Sequence, residues 1–203
     1  MEIDDRVEKT LRREAKAILR QRARALRNTI PPEALAARSA RIVEAALALP
    51  PIAAARAIAL FWPIVARNEV DLRPLDAALR ERGARLAYPS IDEERVMTFR
   101  WVESTSVLRE CGLGFEEPPP DAPEAERLDA VLVPALQIDP RGHRIGYGAG
   151  FYDRTLGRYC PPARAVGVAF DFQLVPEIPI TEGDVAVDFV VTDVRVIDVA
   201  AGA

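Results

Sequence analysis

The stretch that most constrains this chain runs from Asp129 to Tyr159. Asp129-Ala-Val-Leu-Val133 has the pattern of a short buried strand, residues 141–155 carry glycines at 146, 148 and 150, and Tyr152 to Tyr159 can form a helix. A strand, a glycine loop and a helix start can turn several backbone N–H groups toward one anion. The loop is not a dinucleotide fingerprint, because its glycines alternate and no acid follows at the expected distance. Nor is it a P-loop, since no Gly-Lys-Ser/Thr is present. The bland alternative is a tight turn that uses glycine for positive φ. Three arginines (Arg141, Arg144, Arg154), several aromatics and Asp153 crowd around this loop, and they favour a phosphate site.

The rest of the chain alternates in the same manner. Residues 7–27 have helical spacing, with Leu11, Ala15, Ile18, Leu19 and Leu26 on one side and Lys9, Lys16, Arg20 and Arg27 on the other. The apolar stripe is expected to dock on the core. A second helix is expected from about residue 31 to 49, ended by Pro50-Pro51. Strands are expected at 57–62, 85–88, 96–102, 165–170, 189–192 and 194–199, with a helix at 72–82. This order predicts a three-layer α/β/α sandwich with a mainly parallel central sheet, Rossmann-like but without the dinucleotide fingerprint. The whole chain is expected to form a single domain, with the basic helix at about 5–28 docked on it. Ligands of such sheets lie beyond the carboxyl ends of the strands. The 62–69 loop, the glycine loop and the 170–184 segment all follow strands and can share one cleft.

Composition narrows the chemistry. With a single histidine, His143, multi-histidine metal sites are excluded, and the two cysteines, Cys111 and Cys160, are in no metal-binding spacing. No apolar run approaches the roughly 18 residues of a membrane span, and Met-Glu-Ile-Asp-Asp-Arg has no signal-peptide core. A cytoplasmic protein is expected, without membrane contact. Net charge is −4, yet residues 6–27 hold nine Lys/Arg against two acids, which suggests an anionic partner. Lys9 and Lys16 are the only lysines among 27 cationic residues, so Lys16, one turn before Arg20, is a candidate for a compact charge aimed at phosphate. Magnesium needs only one or two carboxylates; Asp153 with Asp184 or Asp188 can supply them.

Taken in order, Lys16-x-x-x-Arg20, Phe61-Trp62-Pro63, Glu69-Val70-Asp71, Gly114-Phe-Glu-Glu-Pro118, Gly142 to Arg154, and Gly167 to Gln173 with Asp184 and Asp188 resemble the 5-formyltetrahydrofolate cyclo-ligase family. The resemblance implies ATP as co-substrate, Mg²⁺ as cofactor and 5-formyltetrahydrofolate as substrate. It places Lys16, Arg20 and the loop Arg144, Ile145, Gly146, Tyr147, Gly148, Ala149, Gly150, Phe151 and Tyr152 on ATP. Trp62, Glu69, Tyr147 and Tyr152 fall to the folate, Asp153 and Asp184 to the metal, and Tyr152 and Arg144 to catalysis. A monomer is expected. Phe151, Ala149 and Gly183 depart from the family pattern, leaving room for a relative acting on another small molecule. A nucleic-acid module using the basic helix is the competing class.

Overall fold

The computed structural model describes residues 2–112 and 114–202, the side chains of 2–6 and 202 aside. Three helices open the chain, α1 (Glu2–Asn28), α2 (Pro32–Ala48) and α3 (Pro50–Ala54). Strand β1 (Ala57–Ala59), α4 (Arg73–Glu81), β2 (Arg85–Ile91) and β3 (Met97–Trp101) follow. Then come the short pair β4 (Arg109–Glu110) and β5 (Glu116–Glu117), β6 (Ala130–Pro134), and the hairpin β7 (Gln137–Ile138) and β8 (Arg144–Ile145). The last elements are α5 (Phe151–Tyr159), β9 (Arg164–Val168), β10 (Phe189–Val191) and β11 (Val196–Asp198).

Seven strands form the main sheet in the order β11-β10-β9-β6-β1-β2-β3. The five inner strands are parallel, and β11 and β3 add antiparallel edges. The predicted α/β sandwich is thus the fold, and strand alternation explains its layers. Ile58, Leu132, Val166 and Val191 point into a core shared with Ile42, Ile52, Leu75 and Leu79 of α2, α3 and α4. Their neighbours Ala59, Val131, Ala165 and Val190 point the opposite way, against Leu156 and Tyr159 of α5. Because every inner strand is covered on both faces, its sequence is continuously apolar rather than alternating.

Three local departures matter. The helix stopped by Pro50-Pro51 restarts at once as α3, because proline suits the first helical turn. Strand β2 runs through Pro89 to Ile91, past the predicted end at Tyr88. Pro89 faces Phe99, whose N–H donates to the Tyr159 hydroxyl at 3.4 Å, and β1 pairing stops at Ala87, so no ladder bond is asked of the missing N–H. Most important, the glycine loop does not leave β6 directly. The β7–β8 hairpin intervenes, pinned by buried Asp139, which accepts the N–H groups of Arg141 (2.9 Å), His143 (3.0 Å) and Ile178 (3.0 Å).

The orientation of α1 reverses the expected one. Leu11, Ile18 and Leu26 stand in solvent, whereas Lys16, Ala23 and Arg27 are buried. Leu19 and Ala23 touch Leu136, Ile145 and Ile178, but the rest of the docked face is cationic. The helix lies across an opening lined by carbonyls and carboxylates, and that surface selects the basic side.

Candidate active site

Beyond the carboxyl ends of β1, β2 and β6, the hairpin, the glycine loop and α1 enclose a cavity of about 660 Å³. The fifteen residues that the resemblance assigns to the site all line it: Lys16, Arg20, Trp62, Glu69, every residue from Arg144 to Asp153, and Asp184. Asp188 does not. Its carboxylate accepts Ala165 N–H at 2.7 Å and pairs with Arg164 at 3.0 Å, fastening β9 to the chain before β10. Of the two candidates left open, Asp184 is therefore the acid at the cavity.

One end is cationic. Buried Lys16 donates to Thr181 Oγ1 at 3.0 Å and is ion-paired with Asp184. Burial pushes the Asp184 carboxyl up, but the hydrogen bonds from Lys16 and the Thr181 N–H outweigh it, and the net displacement is downward. Arg20 donates to the Gly146 carbonyl at 3.1 Å and lies against Gly148, where a Cβ would meet its guanidinium at 3.4 Å. Gly148 and Gly150 both have positive φ, and Gly150 caps α5 in the left-handed conformation, so the alternating glycines serve the turn as well as the opening. Arg144 is almost fully enclosed; it donates to Asp153 at 2.8 Å and to the Val185 carbonyl. Asp153 Oδ1 also accepts Val185 N–H at 3.2 Å. Among the described residues, nothing donates to Asp153 Oδ2 or Asp184 Oδ1. Two carboxylates, each with one oxygen open, suit a Mg²⁺ ion that completes its shell with phosphate and water.

The other end is aromatic and acidic. Trp62 sits edge-on to Tyr88, ring centres 5.9 Å apart. Glu69, at the end of the same loop, accepts Ile64 N–H at 2.8 Å and the Tyr147 hydroxyl at 2.5 Å. Burial drives its carboxyl upward despite those bonds and the nearby Arg27 and Arg67. Tyr147 in turn accepts from Arg27 at 2.7 Å, and the guanidinium of Arg67 lies 4.7 Å from its ring centre. Burial and the Glu69 charge raise the Tyr147 hydroxyl to about 12. The Tyr152 hydroxyl is shut off from solvent with no partner among the described residues, and burial raises it strongly.

The model of the 5-formyltetrahydrofolate cyclo-ligase family matches residues 12–193. The chain belongs to that family. Among cyclo-ligases it is 31% identical to the Escherichia coli K12 enzyme, over 88% of this chain and 98% of that one. It is 40% identical to the Mycolicibacterium smegmatis enzyme over a shorter span, 58% of this chain and 64% of the relative. The solved structure of the Aquifex aeolicus 5,10-methenyltetrahydrofolate synthetase superposes with a TM-score of 0.79 at 28% identity, covering 91% and 92% of the two chains.

Ala149 and Phe151, where the sequence departs from the pattern it resembles, both sit on the cavity wall. Sequence reasoning missed Arg13, Arg67, Arg95, Phe115 and Thr181, which also line it. Arg67 lies inside a loop already marked as ligand-facing and was within reach of the same argument. Arg95 gave no signal, since it ends an acidic turn. Asp71, by contrast, faces away and serves its helix, accepting Arg73 N–H at 3.0 Å.

Proposed function

We propose that this cavity brings ATP and 5-formyltetrahydrofolate together and closes the ring to 5,10-methenyltetrahydrofolate, releasing ADP and phosphate. The observation that carries this reading is the convergence of fifteen residues from four separate segments on one cavity, cationic at one end and aromatic-acidic at the other. The formyl on N5 is amide-like, a weak electrophile with a poor leaving oxygen. Its oxygen attacks the γ-phosphorus of ATP, and the bond to ADP breaks. N10 then attacks the activated carbon, the C–O bond breaks to release phosphate, and the N10 proton is lost.

Each residue has a role that its position permits. Lys16, Arg20 and the N–H groups of the glycine loop take the phosphates. Arg144, fixed by Asp153 and Val185, sits where charge grows on the transferring group. Asp153 and Asp184 would hold Mg²⁺, which when bound neutralises phosphate charge. Trp62 supplies a flat wall for the pterin, and Glu69 accepts its N–H donors. Tyr152 lines the same cavity, where the resemblance puts it between nucleotide and folate. One chain carries all these residues, so the proposed reaction needs no residue from a second copy.

The test is direct. Purified protein with 5-formyltetrahydrofolate, ATP and Mg²⁺ develops the near-ultraviolet absorbance of the methenyl product. ATP binding without product would move the chain to another small-molecule substrate.

A further inference from the structure

The reversed docking of α1 leaves its apolar stripe in solvent. Four large apolar side chains of this one helix, Val7, Leu11, Ile18 and Leu26, are between 45% and 58% exposed. At 3.6 residues per turn, Val7, Leu11 and Ala25 point within about 20° of Ile18, and Leu26 flanks them. This is the side directly away from buried Lys16 and Arg27. A continuous apolar face left bare on a folded chain marks an interaction surface.

The charges on this face indicate what covers it. Glu14 and Arg22 are both exposed, and neither takes part in an ion pair among the described residues. Their own helix offers them no opposite charge: three and four positions from Glu14 stand Thr10, Leu11, Ala17 and Ile18, and around Arg22 stand Ile18, Leu19, Ala25 and Leu26. Glu14 lies four residues before Ile18 and Arg22 four after, as Leu11 and Ala25 lie seven before and seven after. Two such helices laid antiparallel, with a twofold axis at Ile18, bring Glu14 of each copy level with Arg22 of the other, and Leu11 level with Ala25. Ile18 then meets Ile18. An unrelated partner would need no such symmetry of sign and spacing about one residue. We propose that this face is a self-association surface, through which two copies of the chain pair by antiparallel α1 helices, in place of the expected monomer. A helix of 27 residues gives a seam about 40 Å long but only one helix wide, so the dimer is weak and concentration-dependent. Lys16 and Arg20 line the cavity from the opposite side of the same helix, so pairing braces that wall from outside. The inference does not depend on the reaction proposed above.

Sedimentation equilibrium over a micromolar concentration series tests it. The unaltered chain shifts from the mass of one chain toward that of two as concentration rises. Ile18→Glu, which sets two carboxylates against each other on the axis, removes the shift. Glu14→Arg or Arg22→Glu alone raises the dissociation constant by about tenfold or more, because both symmetry-related pairs turn repulsive. Combining the two reversals restores the pairing. These side chains are exposed, so the helical circular dichroism of every variant stays as in the parent. A chain that remains single throughout the series overturns the inference, as does a dimer that the single reversals leave intact or that the double reversal fails to restore. Flotation of a single chain with phosphatidylserine-containing vesicles, lost in Ile18→Glu, would assign the stripe to a lipid surface and equally overturn it.

Discussion

Replacing Lys16 by alanine is the sharpest test of the cationic end. The Lys16 side chain is 8% exposed and that of its partner Asp184 is 21% exposed. Breaking a buried ion pair by removing one partner costs about 3–5 kcal/mol, and an exposed pair contributes about 0–1 kcal/mol. Asp184 can rehydrate in part, so a loss of about 2 kcal/mol is expected, between these limits. For a chain of this size that corresponds to a melting temperature lower by roughly 4–8 °C. Urea denaturation of Lys16→Ala, Asp184→Asn and the double variant closes a cycle whose coupling is expected at about 1–2 kcal/mol.

The pH dependence of that pair has a definite sign. Although burial opposes it, the Asp184 carboxyl titrates below its ordinary 3.8 in the folded protein. The unfolded chain therefore binds its proton first as pH falls, and the contribution is complete above that ordinary value and lost as pH drops through the folded one. The gap between the parent and Lys16→Ala should narrow in that acid range. For ATP, Lys16 must exchange Asp184 for phosphate, so its removal weakens binding by about tenfold, near the low end for a charged hydrogen bond. Additivity of the cycle within about 0.3 kcal/mol, together with unchanged ATP affinity, would refute the reasoning and make Lys16 a packed bystander.

Asp153→Asn keeps an acceptor for Arg144 and Val185 N–H, so it should stay folded while Mg²⁺-dependent turnover falls by at least about 100-fold, measured with saturating Mg²⁺ in the spectrophotometric assay. Glu69→Gln should be more stable than the parent by about 0.5–2 kcal/mol at neutral pH and far less active. The sign follows from burial: the Glu69 carboxyl is raised in the folded state, so its ionisation destabilises the fold progressively above the ordinary 4.5, and the advantage of glutamine should vanish below that value, as thermal melts across pH will report. Gly142→Ala should cost about 2–4 kcal/mol, from the left-handed φ of +79° and a Cβ forced onto the Val187 carbonyl; an unchanged urea midpoint would contradict this.

What could be read from sequence and what could not separate along physical lines. The inner strands were legible because parallel strands buried on both faces leave unbroken apolar runs such as Ala130-Val-Leu-Val133. The glycine loop was legible because only special turns need alternating glycines. The β7–β8 hairpin was not, since two-residue strands are too short for any alternation to register. The side on which α1 docks was misread for a different reason. Periodicity reports which face is apolar, and burial normally follows that face. Here the surface awaiting the helix is made of Asp184, Thr181, the Gly146 carbonyl and the Tyr147 hydroxyl, so the polar face is the complementary one. Arg95 was invisible because nothing in Asp92-Glu-Glu-Arg95 says that the turn between β2 and β3 sets this exposed residue at the cavity.

The inward turn of the basic face also decides what α1 can do. A helix that binds nucleic acid must leave its cations free for a run of phosphates. In this chain Lys16 is buried against Asp184, Arg20 holds the Gly146 carbonyl, and Arg27 holds Tyr147. At the same time, two of the three cations proposed for phosphate chemistry are each held by an acid proposed for the metal: Lys16 by Asp184 and Arg144 by Asp153. Phosphate arriving alone would draw the cations away and be left facing the two carboxylates. A divalent cation arriving alone would compete for those carboxylates against positive charges already in place. When both arrive together, every internal pair is exchanged for two new ones and no buried charge is left without a partner. On the proposed roles, the same ion pairs would favour a nucleotide and a divalent cation entering together.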